Sequence, residues 1–161
     1  MAQWPPGITA SLIRFKDPRI LSDEIRPTNM GFGVSYALPI LLAGLLVPQG
    51  GLMIVENPEA HLHPTGQSRL GRFLGRVAGS GAQVIVETHS DHLLNGIRLA
   101  CVDERVLDPS EVLFHFFDEA TTDPTTIRLT QRGGLTHWPK GFFDQLDEDL
   151  HRISRAKRRA E

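Results

Sequence analysis

The run LMIV, Leu52 to Val55, constrains the fold more than any other stretch of this chain. It is continuously apolar and is bounded by Gly50-Gly51 on one side and Asn57-Pro58 on the other. A short uninterrupted run of this kind suits a central strand of a parallel sheet, and it places the polar residues that follow at the strand's carboxyl end. Thr65 to Val77 then carries Leu70, Phe73, Leu74 and Val77 at helical spacing, with Arg69, Arg72 and Arg76 on other faces. Gln83 to Val86 reads as a second strand. ETHSDHLLNGIRLA turns from it into another helix, with Ser90 or Asp91 as N-cap before Leu93, Leu94 and Ile97. Upstream, SYALPILLAGLL from Ser35 is dense in helix formers and apolar on all sides, which predicts a buried helix bent or started by Pro39. The order helix, strand, helix, strand, helix predicts an α/β fold with parallel strands flanked by helices and joined by right-handed crossovers.

Outside this block the signals are shorter. Val112 to Phe117 and Thr126 to Leu129 alternate as strands do, and Phe142 to Ala156 reads as a last helix. The first thirty residues, with Pro5, Pro6, Pro18 and Pro27, read as loops around a short strand near Leu12 to Phe15. The 161 residues suffice for one domain with a proper core. Seventeen basic against nineteen acidic residues create no global field that demands nucleic acid or membrane, so any such binding must be local. The lone Cys101 excludes an internal disulfide framework and suits a reducing compartment, so a cytoplasmic location is expected. No apolar run approaches the roughly 20 residues that span a bilayer, and the start lacks the basic and apolar segments of a signal peptide.

Ligands of open α/β sheets sit beyond the carboxyl ends of the strands. There this chain carries Glu56, Asn57 and Glu59 after the first strand and Glu87, His89 and Asp91 after the second. Two neighbouring strands ending this way favour a site over polar loop filler. Three segments in this order and spacing, GFGVSYALPILLAGL, LMIVENPEAHLHP and VIVETHSDHLLNGIR, resemble the second half of an ABC-type ATPase of the SMC-like and OLD-like group, among the AAA family ATPases. The likeness covers roughly Arg26 to Arg98, and THWPKGFFDQ resembles a segment of unknown function that follows this ATPase core in one subfamily.

The resemblance implies the C-terminal lobe of a P-loop NTPase, with ATP and Mg²⁺ as cofactors and a dimer formed around nucleotide. Gly31, Gly33 and Ser35 of GFGVS take the place of the signature motif, which faces the nucleotide of the opposite subunit; Tyr36 stands where many such motifs carry glutamine. LMIVE resembles the Walker B strand, with Glu56 on the water shell of Mg²⁺. Asn57 replaces the usual second acid, and an amide has no useful proton affinity as a general base, so Glu59 is the substitute. His63 replaces the usual aspartate of the D-loop, and His89 matches the switch histidine that reaches the γ-phosphate. Glu87 could support the same water or cap the sheet edge.

No stretch of the sequence has the phosphate-cradling G-x-x-x-x-G-K-[ST]. The resemblance therefore implies a half-site, completed by a Walker A-bearing N-terminal half or subunit, and a split or truncated ATPase is expected. The division expected is an irregular lead-in at 1–30, the ATPase lobe at 31–118 and an appended element at 119–161. Two other classes compete. His61, His63, Glu56, Glu59, His89, Asp91 and His92 could make a zinc or manganese site of a metal-dependent hydrolase. The basic tail, Arg152, Arg155, Lys157, Arg158 and Arg159, could contact nucleic acid in a non-catalytic binding module, or be a solvated helix end.

Overall fold

The computed structural model describes residues 32–118 and 122–160, so Gly31 and the expected strand near Leu12 lie outside the described residues. Among the described residues four α-helices and four strands are formed: α1 (Phe32–Leu46), β1 (Leu52–Glu56), α2 (Pro64–Gly79), β2 (Gln83–Glu87), α3 (Asp91–Val102), β3 (Leu113–Phe116), β4 (Thr125–Arg128) and α4 (Gln145–Ala160). β1 and β2 pair in parallel, in a register that sets Met53 beside Val84 and Glu56 beside Glu87. A short 3₁₀ turn, Pro109–Glu111, leads into β3, which pairs antiparallel with β4. The result is an α/β fold with a parallel strand pair, as the sequence implies.

The helix boundaries follow from local chemistry. His63 caps α2, its ring accepting from the Thr65 N–H, and Pro64 occupies the first helical position, where no N–H is needed. Ser90 caps α3 by accepting the Leu93 N–H at 3.1 Å. α2 and α3 pack against each other through glycines. A Cβ on Gly96 would lie 2.2 Å from the Ser68 carbonyl oxygen, and one on Gly71 2.2 Å from that of Leu93, so only glycine permits this crossing.

Met53 and Val55 of β1 bury against Leu70, Leu74, Val77 and Leu93 to form the first core. Each such aliphatic side chain contributes about 1.5–3 kcal/mol relative to exposure. A second core gathers Cys101, Leu107, Val112 and Leu129, and a third Leu94, Ile127 and Phe142. α3 serves all three, because the adjacent Leu93 and Leu94 point into different cores and Cys101 into the remaining one. Phe142 stacks edge-on against Phe116, Trp138 and Phe143 with centroids 5.5, 5.1 and 4.8 Å away. The aromatic cluster thus seals the core under the hairpin.

Two expectations need correction. α1 starts at Phe32, so Gly33 and Pro39 lie inside it, and none of its residues is buried. Ile40 and Leu41 touch the first core, while Leu42, Leu45 and Leu46 face outward because only one layer lies beneath them. β1 is likewise covered on one face only: Leu52 and Ile54 remain 55% and 64% exposed, and Ile85 of β2 is 48% exposed beside them.

Candidate functional site

The parallel register brings Glu56 and Glu87 side by side at the carboxyl ends of β1 and β2. Alternation along each strand puts both on the bare face, in line with Leu52, Ile54 and Ile85. The pairing continues one residue further. The Asn57 N–H donates to the Glu87 carbonyl at 3.0 Å and to its carboxylate Oε2 at 3.1 Å. Asn57 itself has a φ of 46°, a left-handed conformation that asparagine tolerates better than most residues.

The chain then turns through Pro58, and Glu59 swings back across to the second strand. Its Oε1 accepts the His89 N–H at 2.7 Å, while Oε2 is buried without a hydrogen-bond partner. His89 Nε2 sits 3.0 Å from Glu87 Oε1, leaving the ring largely exposed. Glu56, Asn57, Glu59, Glu87 and His89 therefore form one continuous group. Gln67 locks it from below. Its Nε2 donates to the Leu62 carbonyl at 2.9 Å and its Oε1 accepts from Ser90 Oγ at 2.6 Å. One side chain from α2 thus ties the loop after β1 to the cap of α3. Sequence reasoning missed Gln67, and its spacing carries no signal that would have found it.

The start of α1, the stretch whose sequence resembles a signature motif, approaches from another side. A Cβ on Gly33 would fall 2.8 Å from the His61 carbonyl oxygen, so the start of α1 rests on the loop after β1. His61, held at a φ of 61°, has its ring 5.5 Å from Phe32 and 5.8 Å from Tyr36. Ser35 is half-buried on the same helix.

The zinc or manganese set does not assemble. His61 is engaged with aromatic rings, His63 caps α2, and His92 pairs with Asp91 at 3.7 Å. Among the described residues no group of three or more histidines, cysteines or acids converges as a metal cage. A hydrated Mg²⁺ asks for less. It keeps most of its waters and needs one or two carboxylates nearby, and three carboxylates against one histidine leave the strand ends negative. Those residues fit such an ion. Among the described residues no helix is long and apolar enough to cross a membrane.

Comparison with known protein families gives matches over two stretches of the chain. Residues 107–153 match a protein family of unknown function, DUF3696. No curated protein and no solved structure gives a significant match. Residues 15–95, half of the chain, match the family described as AAA domain, putative AbiEii toxin, Type IV TA system. By that match the chain belongs to this AAA domain family, whose activity is ATPase-like, and it carries the DUF3696 segment after it.

Proposed function

We propose that the chain forms the Walker B and switch half of an ABC-type, SMC-like ATPase site, completed by a polypeptide segment bearing G-x-x-x-x-G-K-[ST]. One observation carries the reading. The bare face of β1–β2 is apolar along its length, at Leu52, Ile54 and Ile85, and acidic at its carboxyl end, at Glu56 and Glu87. A covering segment that buries the apolar part sets its own phosphate loop over the acidic part.

When bound, ATP with Mg²⁺ supplies the phosphoryl group and the cation that neutralises it. Glu56 holds the ion's water shell. Glu59, with Oε1 held by the His89 N–H, is the carboxylate that would take the role Asn57 cannot fill, once a shift of the loop after β1 opens its buried Oε2 to a water. Glu87 holds the His89 ring through Nε2. With that N–H committed, a protonated ring has one further hydrogen, on Nδ1, to offer a phosphate oxygen. Ser35 and the start of α1 face the nucleotide of a second site in trans, which makes the assembly a dimer around nucleotide. A DNA-related or defence role is in keeping with the resemblance and adds no residue to the site.

The test is nucleotide titration by calorimetry, on the chain alone and together with the polypeptide encoded immediately upstream of the Met1 codon. The chain alone is expected to bind ATP no better than millimolar, and the pair to bind in the micromolar range and hydrolyse it. Glu56→Ala in the pair removes the Mg²⁺-dependent part. Micromolar binding by the chain alone, or no binding with any G-x-x-x-x-G-K-[ST]-bearing segment, overturns the reading.

A further inference from the structure

The last backbone bond between β1 and β2 at their carboxyl ends runs from the Asn57 N–H to the Glu87 carbonyl. Beyond it, among the described residues, no backbone hydrogen bond joins the loop 58–62 to the loop 88–90. Side chains alone hold the two together. One tie is the Glu59 carboxylate on the His89 N–H, and the other is Gln67, whose amide spans from Leu62 to Ser90.

The second tie has one permitted orientation. The Leu62 and Glu59 carbonyls, 2.9 and 3.4 Å from Nε2, can only accept, so the amide NH₂ faces them. Ser90 Oγ already accepts the Leu93 N–H, and its single hydrogen goes to Gln67 Oε1. Ser90 is 6% exposed, so its hydroxyl depends on this partner. The contact to the Glu59 carbonyl is the longer and weaker of the two on Nε2, so the Leu62 end of the loop stays fixed when the Glu59 end moves.

The two ties serve different ends. On the nucleotide reading above, Glu59 acts only after the loop following β1 shifts, which loosens its bond to the His89 N–H. His89 has to stay in place meanwhile. We propose that Gln67 is a positioning residue of this site: it keeps the loop that carries His89 in register with the loop after β1 while the Glu59 carboxylate leaves its resting place. The role in turnover rests on the nucleotide reading; the tie itself does not.

Two substitutions separate this role from simple support of the α3 cap. Gln67→Met keeps the length of the side chain and removes both arms. Gln67→Glu keeps an acceptor for Ser90 Oγ but sets a carboxylate oxygen against the Leu62 and Glu59 carbonyls, so it spares the cap and breaks the tie. Proton NMR of the chain alone reads the tie. The His89 amide proton, donated to a carboxylate at 2.7 Å, is expected well downfield in the parent chain, and both variants are expected to lose that shift. In the ATPase completed by the Walker A-bearing polypeptide, both are expected to lower kcat about 10–100-fold and to leave KM for ATP within about 3-fold, because Gln67 comes from α2 on the covered side of the sheet. Val112→Ala, in the second core, is the control for stability alone: it is expected to lower Tm without changing kcat below its midpoint.

A His89 amide that keeps its shift in either variant, a Gln67→Glu enzyme with the parent's kcat, or a kcat loss matched by Val112→Ala overturns the role. An unaltered pair that fails to hydrolyse ATP overturns the nucleotide reading instead, and the His89 amide then still decides whether Gln67 ties the loops.

Discussion

Replacing Gly96 by alanine tests whether the α2–α3 crossing sets the distance between the two strand-end loops. The added Cβ would stand 2.2 Å from the Ser68 carbonyl oxygen and 3.0 Å from the Gly71 Cα, both backbone atoms that cannot rotate away. Reaching ordinary contact distance requires the helices to part by about 1 Å. Overpacking of this kind costs about 1–3 kcal/mol. Alanine's better helix propensity returns about 1 kcal/mol, so any overpacking cost above that leaves a net loss. Because the obstructing atoms are backbone, a net loss of about 1–2 kcal/mol is expected, a fall in Tm of about 2–8 °C for a chain of this size. Thermal unfolding followed by circular dichroism measures it. Gly66→Ala, in the facing helix α2, is the control: its Cβ meets nothing closer than Leu62 Cβ at 3.6 Å, so its Tm should equal or exceed that of the parent chain. A Gly96→Ala variant that melts at or above the parent chain refutes the close crossing, and with it the account of how Gln67 reaches Ser90.

Ser90→Ala removes both the cap on the Leu93 N–H and the bond to Gln67, and should cost about 1–2 kcal/mol in urea unfolding. Burial, with a smaller contribution from Asp108, pushes the Cys101 thiol up to about 11. The thiol should therefore resist alkylation at pH 8 until the chain is denatured. The same shift leaves the folded state holding a proton that the unfolded state has lost, so stability should fall between about pH 9 and 11, and Cys101→Ala should flatten that slope. Asn57→Glu should raise ATP turnover of the completed enzyme by supplying a base, while lowering stability by about 1 kcal/mol because glutamate is strained at a φ of 46°. Turnover unchanged by that substitution would mean that Glu59 already fills the role.

The middle of the chain was legible because its signals are local. Leucine spacing and the serine cap place α2 and α3, and the apolar runs place β1 and β2 to within a residue of their ends. The burial of α1 was not legible, because all-round apolar composition says that a helix needs cover without saying that the cover is present. Glu59 and His89 lie thirty residues apart, and only the parallel register brings one to the other. His63 resembles an interface residue by position, yet its ring serves as a helix cap. The last helix begins at Gln145 rather than Phe142, since Phe142 and Phe143 are drawn into the aromatic cluster and Phe143 takes a φ of 54° that no α-helix accepts. Helix-interior glycines such as Gly71 and Gly96 read as weak points in isolation and acquire a purpose only at the crossing.

The β1–β2 pair has two unpaired edges among the described residues, beside a face that carries Leu52, Ile54 and Ile85. Open edges of this sort template strand addition from other chains, and an apolar face next to them makes such addition cohesive. Solubility of the purified chain should therefore reach a ceiling that a covering polypeptide lifts, since one cover removes edge and face together. The concentration at which light scattering begins, with and without a candidate cover, gauges the fit of that cover without any nucleotide in the tube.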